Sequence, residues 1–470
     1  MTTLTRRGFM QAGGIAGAMA AMPSIIPARV LGQAAPSKMI NIGIVGLGRI
    51  ATSMEIPGIL GQTDMARIVA ICDLDSKRLA FSKDRIEKEY NKRLKSDNYT
   101  VKTFAKYQDM LRDGGVDAVM VCTPDHWHAL CAVECAIAGK DIWVQKPFSQ
   151  TIHEGRILAE VVRQKGVILQ VGSQQRSNKQ FRTGCELVRN GRVGRIKRVE
   201  VGFGKDSDGG RKEEMPVPPN LDYNTWLGPT PLAYYTEDRV HNQDTAKIGS
   251  RPGWIQLEPY GWGMITNWGA HHIDIVQWGL GTEDRGPLEV SGTCGWLTKG
   301  LWNAHAEFDL LYKYDGGIDV SVCNKYPNGV RFIGDEGWIF VSRGAAKVTA
   351  SDPTMPGTSL KSLDASDAKL LDAPLGSNAV RLHVSDNHVK DWLLAIRSRT
   401  SAVTNAEAGH RSTSVCTLGH MCMKTGKTLK WDYKTETTDN AEANKMLACF
   451  ERDQFSIAKA LKAANITVKL

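Results

Sequence analysis

The segment MINIGIVGLGRIA (residues 39–51) joins a continuously apolar run to a glycine turn and to residues that can begin a helix. The run covers Ile40 to Val45, and Gly46, Gly48 and Ala51 then form a G-x-G-x-x-A pattern. In this pattern the first glycine permits a tight turn, the second lets the backbone approach a pyrophosphate, and the small third residue lets the helix pack closely. The segment therefore predicts a strand–turn–helix unit that binds a dinucleotide, with a purely structural glycine turn as the alternative.

The alternation of strand and helix continues to about residue 170. A second apolar run ends at Asp73, and further apolar runs cover 117–122 and 141–145, each separated from the next by a helical pattern. Continuously apolar strands separated by helices are typical of a parallel, doubly wound sheet. A carboxylate at the end of the second strand binds ribose hydroxyls and repels a 2′-phosphate, so Asp73 favours NAD over NADP. The basic residues Lys77 and Arg78 keep NADP as the less favoured alternative.

After about residue 195 the alternation of apolar strands and helices gives way to β-rich runs. Runs such as LEVSGTCGWLT and GVRFIGDEGWIFVSRG are β-rich and broken by Gly and Asp, which predicts a mainly antiparallel sheet. The stretch 205–262 is rich in Pro, Gly and Trp, has little periodicity, and is predicted to form long loops over a site. The expected fold is an α/β Rossmann domain followed by an α+β domain. The predicted units are a leader at 1–35, the Rossmann domain at 38–170, the substrate domain at 171–432 and a tail at 433–470.

The first 35 residues are a different kind of sequence. They contain Arg6, Arg7 and Phe9 followed by a short apolar run rich in Gly and Ala, and they resemble a twin-arginine export signal. A membrane-anchoring or amphipathic helix is the alternative, although the run is short against the roughly 20 residues that span a bilayer. We therefore expect a periplasmic or secreted protein whose mature form has no membrane span.

The overall composition is that of a globular protein of two or three domains. The net charge of +9 is spread over 470 residues, which favours a solvated surface over a nucleic-acid partner. Ten cysteines are scattered without a C-x-x-C pair, and Cys72 and Cys122 fall in apolar strand-like runs. These cysteines are predicted to be small buried side chains instead of a disulfide framework.

Two polar motifs follow predicted strands of the first sheet, at the edge where open parallel sheets bind ligands. In TPDHWH (123–128) we expect His126 to cap the helix or form the cofactor-side wall, and His128 to face the substrate or pack. In QKP (145–147), Lys146 can act as a general acid/base or bind a hydroxyl, especially if burial lowers its pKa. A lysine that only caps a turn is the alternative.

A third motif, TNWGAHHID (266–274), contains adjacent histidines that are compatible with a metal site, an acid/base centre or packing. A zinc site needs three convergent ligands, and the motif does not offer them, so no metal is predicted.

Five motifs in order resemble those of the Gfo/Idh/MocA oxidoreductases, the family of glucose-fructose oxidoreductase and inositol dehydrogenase. They are the glycine turn, CTPDHWHA, the KP after DIWVQ, VGSQQRSN and NWGAHHID. The resemblance spans residue 38 to about 430. It implies NAD(P) bound between a Rossmann domain and an α+β domain with a large open sheet, a sugar, polyol or glycoside substrate, and commonly a homo-oligomer. It also implies that Lys146 is the lysine of the E-K-P motif and that Asn267 and His271 occupy the Asp and His positions of the D-x-x-x-H motif.

The predicted site residues fall into three groups. The catalytic residues are Lys146, His271 and Asn267. The cofactor-binding residues are Gly46, Gly48, Arg49, Ile50, Asp73, Thr123, Pro124, His126, Gln145 and Lys146. The substrate-binding residues are His128, Arg176, Asn178, Asn267 and His271. His272 is expected to point into packing, and Asp274 to orient the His271 imidazole or cap a turn.

Two positions depart from the family pattern, because Gln145 stands for Glu and Asn267 stands for Asp. Neither amide titrates, so proton transfer would rest on Lys146 and His271. Three functions stay open. The first is an exported oxidoreductase with tightly bound NAD. The second is an NAD-dependent glycoside hydrolase that works by transient oxidation and elimination, with further acid/base candidates Tyr234, Tyr235 and Tyr260. The third is a non-catalytic sugar sensor.

Overall fold

A computed structural model describes residues 39–344, 359–372 and 374–470. The leader predicted at 1–35 lies outside these residues. The strands are β1 Ile40–Val45, β2 Ala66–Cys72, β3 Lys102–Phe104, β4 Ala118–Val121, β5 Asp141–Val144, β6 Leu169–Val171, β7 Ile196–Gly202, β8 Glu289–Trp296, β9 His305–Tyr314, β10 Ile318–Cys323, β11 Gly329–Gly334, β12 Gly337–Val341, β13 Leu363–Ala365, β14 Leu429–Asp432 and β15 Thr437–Thr438. The α-helices are α1 Ile56–Leu60, α2 Ser76–Leu94, α3 Tyr107–Asp113, α4 Asp125–Ile137, α5 Ile152–Lys165, α6 Lys179–Arg189, α7 Tyr223–Leu227, α8 Met264–Asn267, α9 Gly269–Leu280, α10 Lys369–Asp372, α11 His388–Ser398, α12 Ala406–Thr425, α13 Ala441–Asn444 and α14 Ile457–Ala463.

The first sheet has six parallel strands in the order β3-β2-β1-β4-β5-β6. Its central strands are apolar on both faces because helices cover both sides, and β4 and β5 are buried at every position. The strand order reverses direction between β1 and β4, which is where ligands bind in open sheets of this kind. The predicted parallel, doubly wound sheet is confirmed.

The second sheet has nine strands in the order β13-β12-β11-β7-β10-β9-β8-β14-β15. It is mostly antiparallel, and the exception is the parallel pair of β7 with β10. Alternate residues of β9 face the core, so that Phe308, Leu310 and Tyr312 are buried while Asp309 and Lys313 are exposed. This confirms an α+β unit with a large, mainly antiparallel sheet, whose buried face packs against α6, α9 and α12.

Two segments from the carboxyl-terminal part of the chain return to the first sheet. Helix α11 packs there through Trp392, whose ring lies 5.8 Å from that of Trp143 in β5. Near the end of the chain, Phe455 makes an edge contact with Trp127 of α4 at 5.3 Å. The tail therefore packs against the Rossmann layer, a placement that the linear order of the motifs did not indicate.

The insertion 205–262 has its own small aromatic core and is fastened to the loop after β2. The backbone amide of Ser76 donates to the carbonyl of Asn220 at 2.9 Å, and the amide of Asp222 donates to the carbonyl of Leu74 at 3.0 Å. His241 of the insertion hydrogen-bonds the buried Asp75 at 3.0 Å. The insertion thus extends from the second sheet to the loop that follows β2 in the first sheet. Within the described ranges, no helix is both long enough and apolar enough to cross a membrane.

Candidate active site

The glycine turn after β1 is shaped for the close approach of a ligand. Gly46 has a φ of +83°, and a Cβ atom there would lie 2.7 Å from the carbonyl oxygen of Cys122. The carboxylate of Asp73 accepts hydrogen bonds from the backbone amides of Leu47 at 2.6 Å and Asp75 at 2.8 Å. Asp73 therefore holds the turn in place, and its oxygens retain lone pairs for ribose hydroxyls.

A cavity of about 580 Å³ runs from this turn to the end of β5. Of the predicted site residues, it is lined by Gly46, Gly48, Arg49, Ile50, Asp73, Thr123, Pro124, His128, Gln145, Lys146 and Asn267. The insertion contributes Trp226, His241 and Trp254 to the opposite wall, and Phe455 of the tail also lines the cavity. Its volume falls in the range of small-molecule and cofactor pockets. The open glycine turn, the carboxylate beside it and the extended cavity together fit a dinucleotide.

Lys146 lies at the far end of this cavity, just beyond β5. Its Nζ donates a hydrogen bond to the backbone carbonyl of Asn267 at 3.0 Å. Asn267 ends α8, so the contact joins the edge of the first sheet to the second unit across the cavity. The structure thus places Lys146 against the backbone of Asn267, another of the three residues predicted as catalytic.

His271 is buried in α9, four residues after Asn267, and is not among the described residues that line the cavity. Burial lowers the pKa of His271 well below its ordinary value, and the positive charges of Arg343 and Lys146 act in the same direction. Its Nδ1 has no hydrogen-bond partner within the described part of the chain. A neutral imidazole is therefore expected at this position, which suits it to accept a hydrogen bond and not to serve as an imidazolium acid.

Two further residues of the histidine motif have structural contacts. His272 is fully buried, and its Nε2 lies 2.7 Å from Oδ1 of Asn328, so it belongs to the packing. The expectation that Asp274 orients His271 is wrong, because its carboxylate is occupied by Arg176 at 2.7 and 2.8 Å and by Ser412 at 2.9 Å.

The same ion pair corrects the prediction that Arg176 binds substrate. Its side chain is buried, also donates to Glu283 at 2.5 Å, and stacks over the Trp278 ring at 5.1 Å. All three guanidinium nitrogens are used inside the protein. Arg176 does not line the cavity formed by the described residues.

Three other predicted ligand residues, His128, His126 and Asn178, also make structural contacts or lie away from the cavity. His128 lines the cavity, but its two ring nitrogens lie 2.6 Å and 2.9 Å from the carbonyl oxygens of Pro147 and Thr123, so it fastens two loops and is not a substrate ligand. His126 hydrogen-bonds the Trp226 carbonyl at 3.0 Å and packs behind the cavity wall. Asn178 is exposed and lies away from the cavity, which corrects its substrate prediction.

Gln145, which replaces the family's glutamate, is paired with a carboxylate from a different element. Its amide donates to the buried Glu55, which follows the glycine turn, and Gln174 donates to the same oxygen at 3.1 Å. Burial raises the pKa of Glu55 to about 8 despite these two hydrogen bonds. Glu55 therefore provides an acidic group behind the cavity wall, in direct contact with Gln145, which stands at the position of the motif's glutamate.

The raised pKa of Glu55 predicts a measurable pH dependence of stability. The folded state binds a proton that the unfolded chain releases at pH values above about 4.5, so this contribution is present at low pH and is lost as pH rises through about 8. Its slope is at most about 1.4 kcal/mol per pH unit. Glu55→Gln should remove this slope from urea unfolding free energies measured between pH 5 and pH 8. The exposed Glu336→Gln variant should keep the wild-type slope, and equal slopes in all three proteins would contradict the assignment.

The sequence analysis gave no role to Asp125, although it quoted the motif that contains it. Asp125 is the first residue of α4, is 7% exposed, and lines the cavity that Lys146 also lines. The sequence signal for Asp125 is its place immediately after the Thr-Pro turn at a strand end.

Comparison with known proteins agrees with this organisation. The family model described as "Oxidoreductase family, NAD-binding Rossmann fold" matches residues 40–173. The model described as "Oxidoreductase family, C-terminal alpha/beta domain" matches residues 203–342 and 374–457. Together the two models cover most of the chain.

Curated relatives include two kinds of enzyme. Myo-inositol 2-dehydrogenase of Thermotoga maritima is 27% identical over 207 residues, which are 44% of this chain and 54% of that protein. Glycosyl hydrolase family 109 protein 2 of Shewanella sp. (strain ANA-3) is 30% identical over 169 residues, which are 33% of this chain and 36% of that protein. The chain spans about half the length of the first curated relatives it matches.

Among solved structures, the WlbA dehydrogenase from Bordetella pertussis in complex with NADH and UDP-GlcNAcA has the same fold. The TM-score is 0.58 at 18% sequence identity, and the match covers 84% of this chain and 99% of that chain. At this identity the similarity concerns the fold alone.

Proposed function

The chain belongs to the Gfo/Idh/MocA oxidoreductase family, and from this premise we propose that it is an NAD-dependent enzyme that oxidises or reduces a sugar, polyol or glycoside hydroxyl carbon. The observation that carries the proposal is the continuous cavity that leads from the glycine turn and Asp73 to Lys146 and Asn267. One end has the features that hold a dinucleotide, and the other presents a lysine that can move a proton.

Each residue at the reacting end has a distinct task in this mechanism. Bound NAD would accept or supply a hydride at the nicotinamide. Lys146 takes the proton of the substrate hydroxyl at its Nζ, and the Asn267 carbonyl holds that nitrogen in position. The Asn267 side chain orients a hydroxyl without titrating. His271 is not among the described residues that line the cavity, but burial keeps it neutral, and it can accept a hydrogen bond from a group that reaches it beside Lys146.

The proposal includes a cofactor that stays bound between turnovers. The insertion 205–262 is hydrogen-bonded to the loop after β2 through Asn220 and His241, on the adenosine side of the cavity. In the tail, the Arg452 side chain donates to the Gly228 carbonyl at 2.7 Å, and Phe455 lines the same cavity. Contacts from the insertion and the tail around the cavity support slow release of a dinucleotide. Tight binding also suits the export proposed from the Arg6-Arg7 motif, because free NAD is scarce outside the cytoplasm.

A glycoside hydrolase that uses NAD transiently is the second candidate, favoured by the similarity to the glycosyl hydrolase family 109 protein. Lys146 and Asn267 would serve it equally. The tyrosines proposed as extra acids do not support it, since Tyr234, Tyr235 and Tyr260 are absent from the described residues that line the cavity.

One experiment separates the candidates. The purified protein should be desalted and denatured, and the released nucleotide identified by mass spectrometry; we expect about one NAD per chain. The intact protein should then be incubated with a panel of sugars and glycosides while reduced nicotinamide absorbance and released sugar are both followed. A keto product or a lasting absorbance change supports the oxidoreductase, and sugar release without net absorbance change supports the hydrolase. Absence of nucleotide and of NAD affinity would refute both.

A further inference from the structure

Asp125 and Lys146 are brought together by the register of two neighbouring strands. β4 pairs with β5 in parallel, with Val121 opposite Val144, so the residues that follow both strands emerge at the same edge of the sheet. His128 then links these two segments, because its ring contacts the Pro147 and Thr123 carbonyls at 2.6 and 2.9 Å. The carboxylate and the amine therefore share one rigid corner of the cavity.

The insertion 205–262 packs against the Asp125 carboxylate, and no charged side chain of the insertion acts on it. A Cβ atom on Gly261 would lie 3.2 Å from Oδ2 of Asp125 and 3.3 Å from the Trp254 ring, so this wall is formed by backbone and an indole. On its own helix, His128 is already held by two carbonyl groups. From the end of β5, Lys146 is the charged group that acts on Asp125.

Burial disfavours the charged form of Asp125, which is 7% exposed. It raises the pKa of Asp125 to about 8, against the opposing effect of the Lys146 charge. The ammonium–carboxylate form and the amine–carboxylic acid form contain the same atoms, so one proton can pass between the two groups without a change in their net charge.

We propose that Asp125 exchanges a proton with Lys146 across the cavity that both residues line, and is the second proton-transfer group of the active site. It supplies the carboxylate that is absent from positions 145 and 267, from the strand end that carries the TPDHWH motif. The role in turnover rests on the proposed function, whereas the proton exchange is a property of the protein alone.

The proton balance of the oxidative direction follows from this pairing. The reactive form has Lys146 as the amine and Asp125 as the acid. As the substrate C–H and O–H bonds break and a C=O bond forms, bound NAD would take up the hydride with its electron pair. The hydroxyl proton goes to Lys146 Nζ, and Asp125 releases its proton to solvent. One proton is produced for each hydride transferred, and the reductive direction reverses each step.

The test measures the ionisation of Lys146 directly. The full protein with its bound nucleotide is pulse-labelled with acetic anhydride over a range of pH, and acetylation of Lys146 is quantified by mass spectrometry after digestion. Asp125→Asn should lower the labelling midpoint of Lys146 by about one pH unit or more, because the ammonium loses its anionic partner. Asp125→Glu should stay near the wild-type midpoint.

The control is Asp113→Asn, which removes the same charge at an exposed site at the end of α3 and should leave the Lys146 midpoint unchanged. Thermal unfolding and nucleotide content verify that each variant is folded, and Asp125→Ser replaces Asp125→Asn if the latter is not. An unchanged Lys146 midpoint in the folded variant overturns the proposal. A shifted midpoint in a protein that turns over no sugar or glycoside would leave the pair standing and refute the proposed function instead.

Discussion

Lys146→Ala is expected to lower kcat on a verified substrate by about 10³-fold, within the range of about 10² to 10⁴ that a positioned acid/base contributes. The reason is that Lys146 is the proton-transfer group in contact with Asn267 at the reacting end of the cavity, with Nζ held 3.0 Å from the carbonyl. Cofactor retention should be preserved, because the glycine turn and Asp73 lie at the other end. Steady-state kinetics and the nucleotide content of the purified variant are the measurements.

Two controls define this result. Lys179→Ala changes an exposed lysine at the start of α6 and should leave kcat unchanged. Lys146→Arg keeps the positive charge but cannot deprotonate at accessible pH, so it should be nearly as inactive as alanine. Undiminished turnover in Lys146→Ala would remove this lysine from the mechanism.

Arg176→Met is expected to destabilise the fold by about 3–5 kcal/mol, because it leaves a buried carboxylate without its partner. Arg176 holds Asp274 at 2.7 and 2.8 Å in a site where both side chains are almost completely buried. This pair joins the turn after β6 to α9, the helix that carries His271. The free energy of unfolding from urea titration is the measurement.

The double variant Arg176→Met with Asp274→Asn should recover part of this loss, because the uncompensated charge is then absent. Arg112→Met, at an exposed ion pair on α3, should show no measurable change. If Arg176→Met instead kept full stability and only raised KM for a sugar, the substrate role predicted from the sequence would be restored.

Several features of the site follow from local sequence alone. Gly46 and Gly48 between an apolar strand and a helix predict the dinucleotide turn, because glycine accepts the φ of +83° at position 46, where an added Cβ atom would lie only 2.7 Å from a carbonyl oxygen. The continuous apolar character of β1, β4 and β5 predicts burial on both faces. The position of Lys146 after a strand likewise predicts its place at the ligand-binding edge.

Predictions from local sequence are wrong where a polar side chain has two possible surroundings. Arg176 and Asn178 follow β6 as Lys146 follows β5, and they received the same interpretation. The tertiary structure separates them, because Asp274 arrives from a distant helix to neutralise Arg176 while Asn178 faces solvent. The role proposed for Asp125 likewise depends on the tertiary structure, because Lys146 follows a neighbouring strand and lines the same cavity.

The sequence by itself determined the two-sheet architecture, the family and the strand ends where chemistry is placed, because periodicity and glycine conformation are properties of neighbouring residues. Only the tertiary structure decided which charges are paired. Glu55 meets Gln145, Arg176 meets Asp274, and His241 of the insertion meets Asp75. These partners are far apart in the chain. They are paired because a buried charge or amide without a partner costs free energy that is large compared with the net free energy of folding.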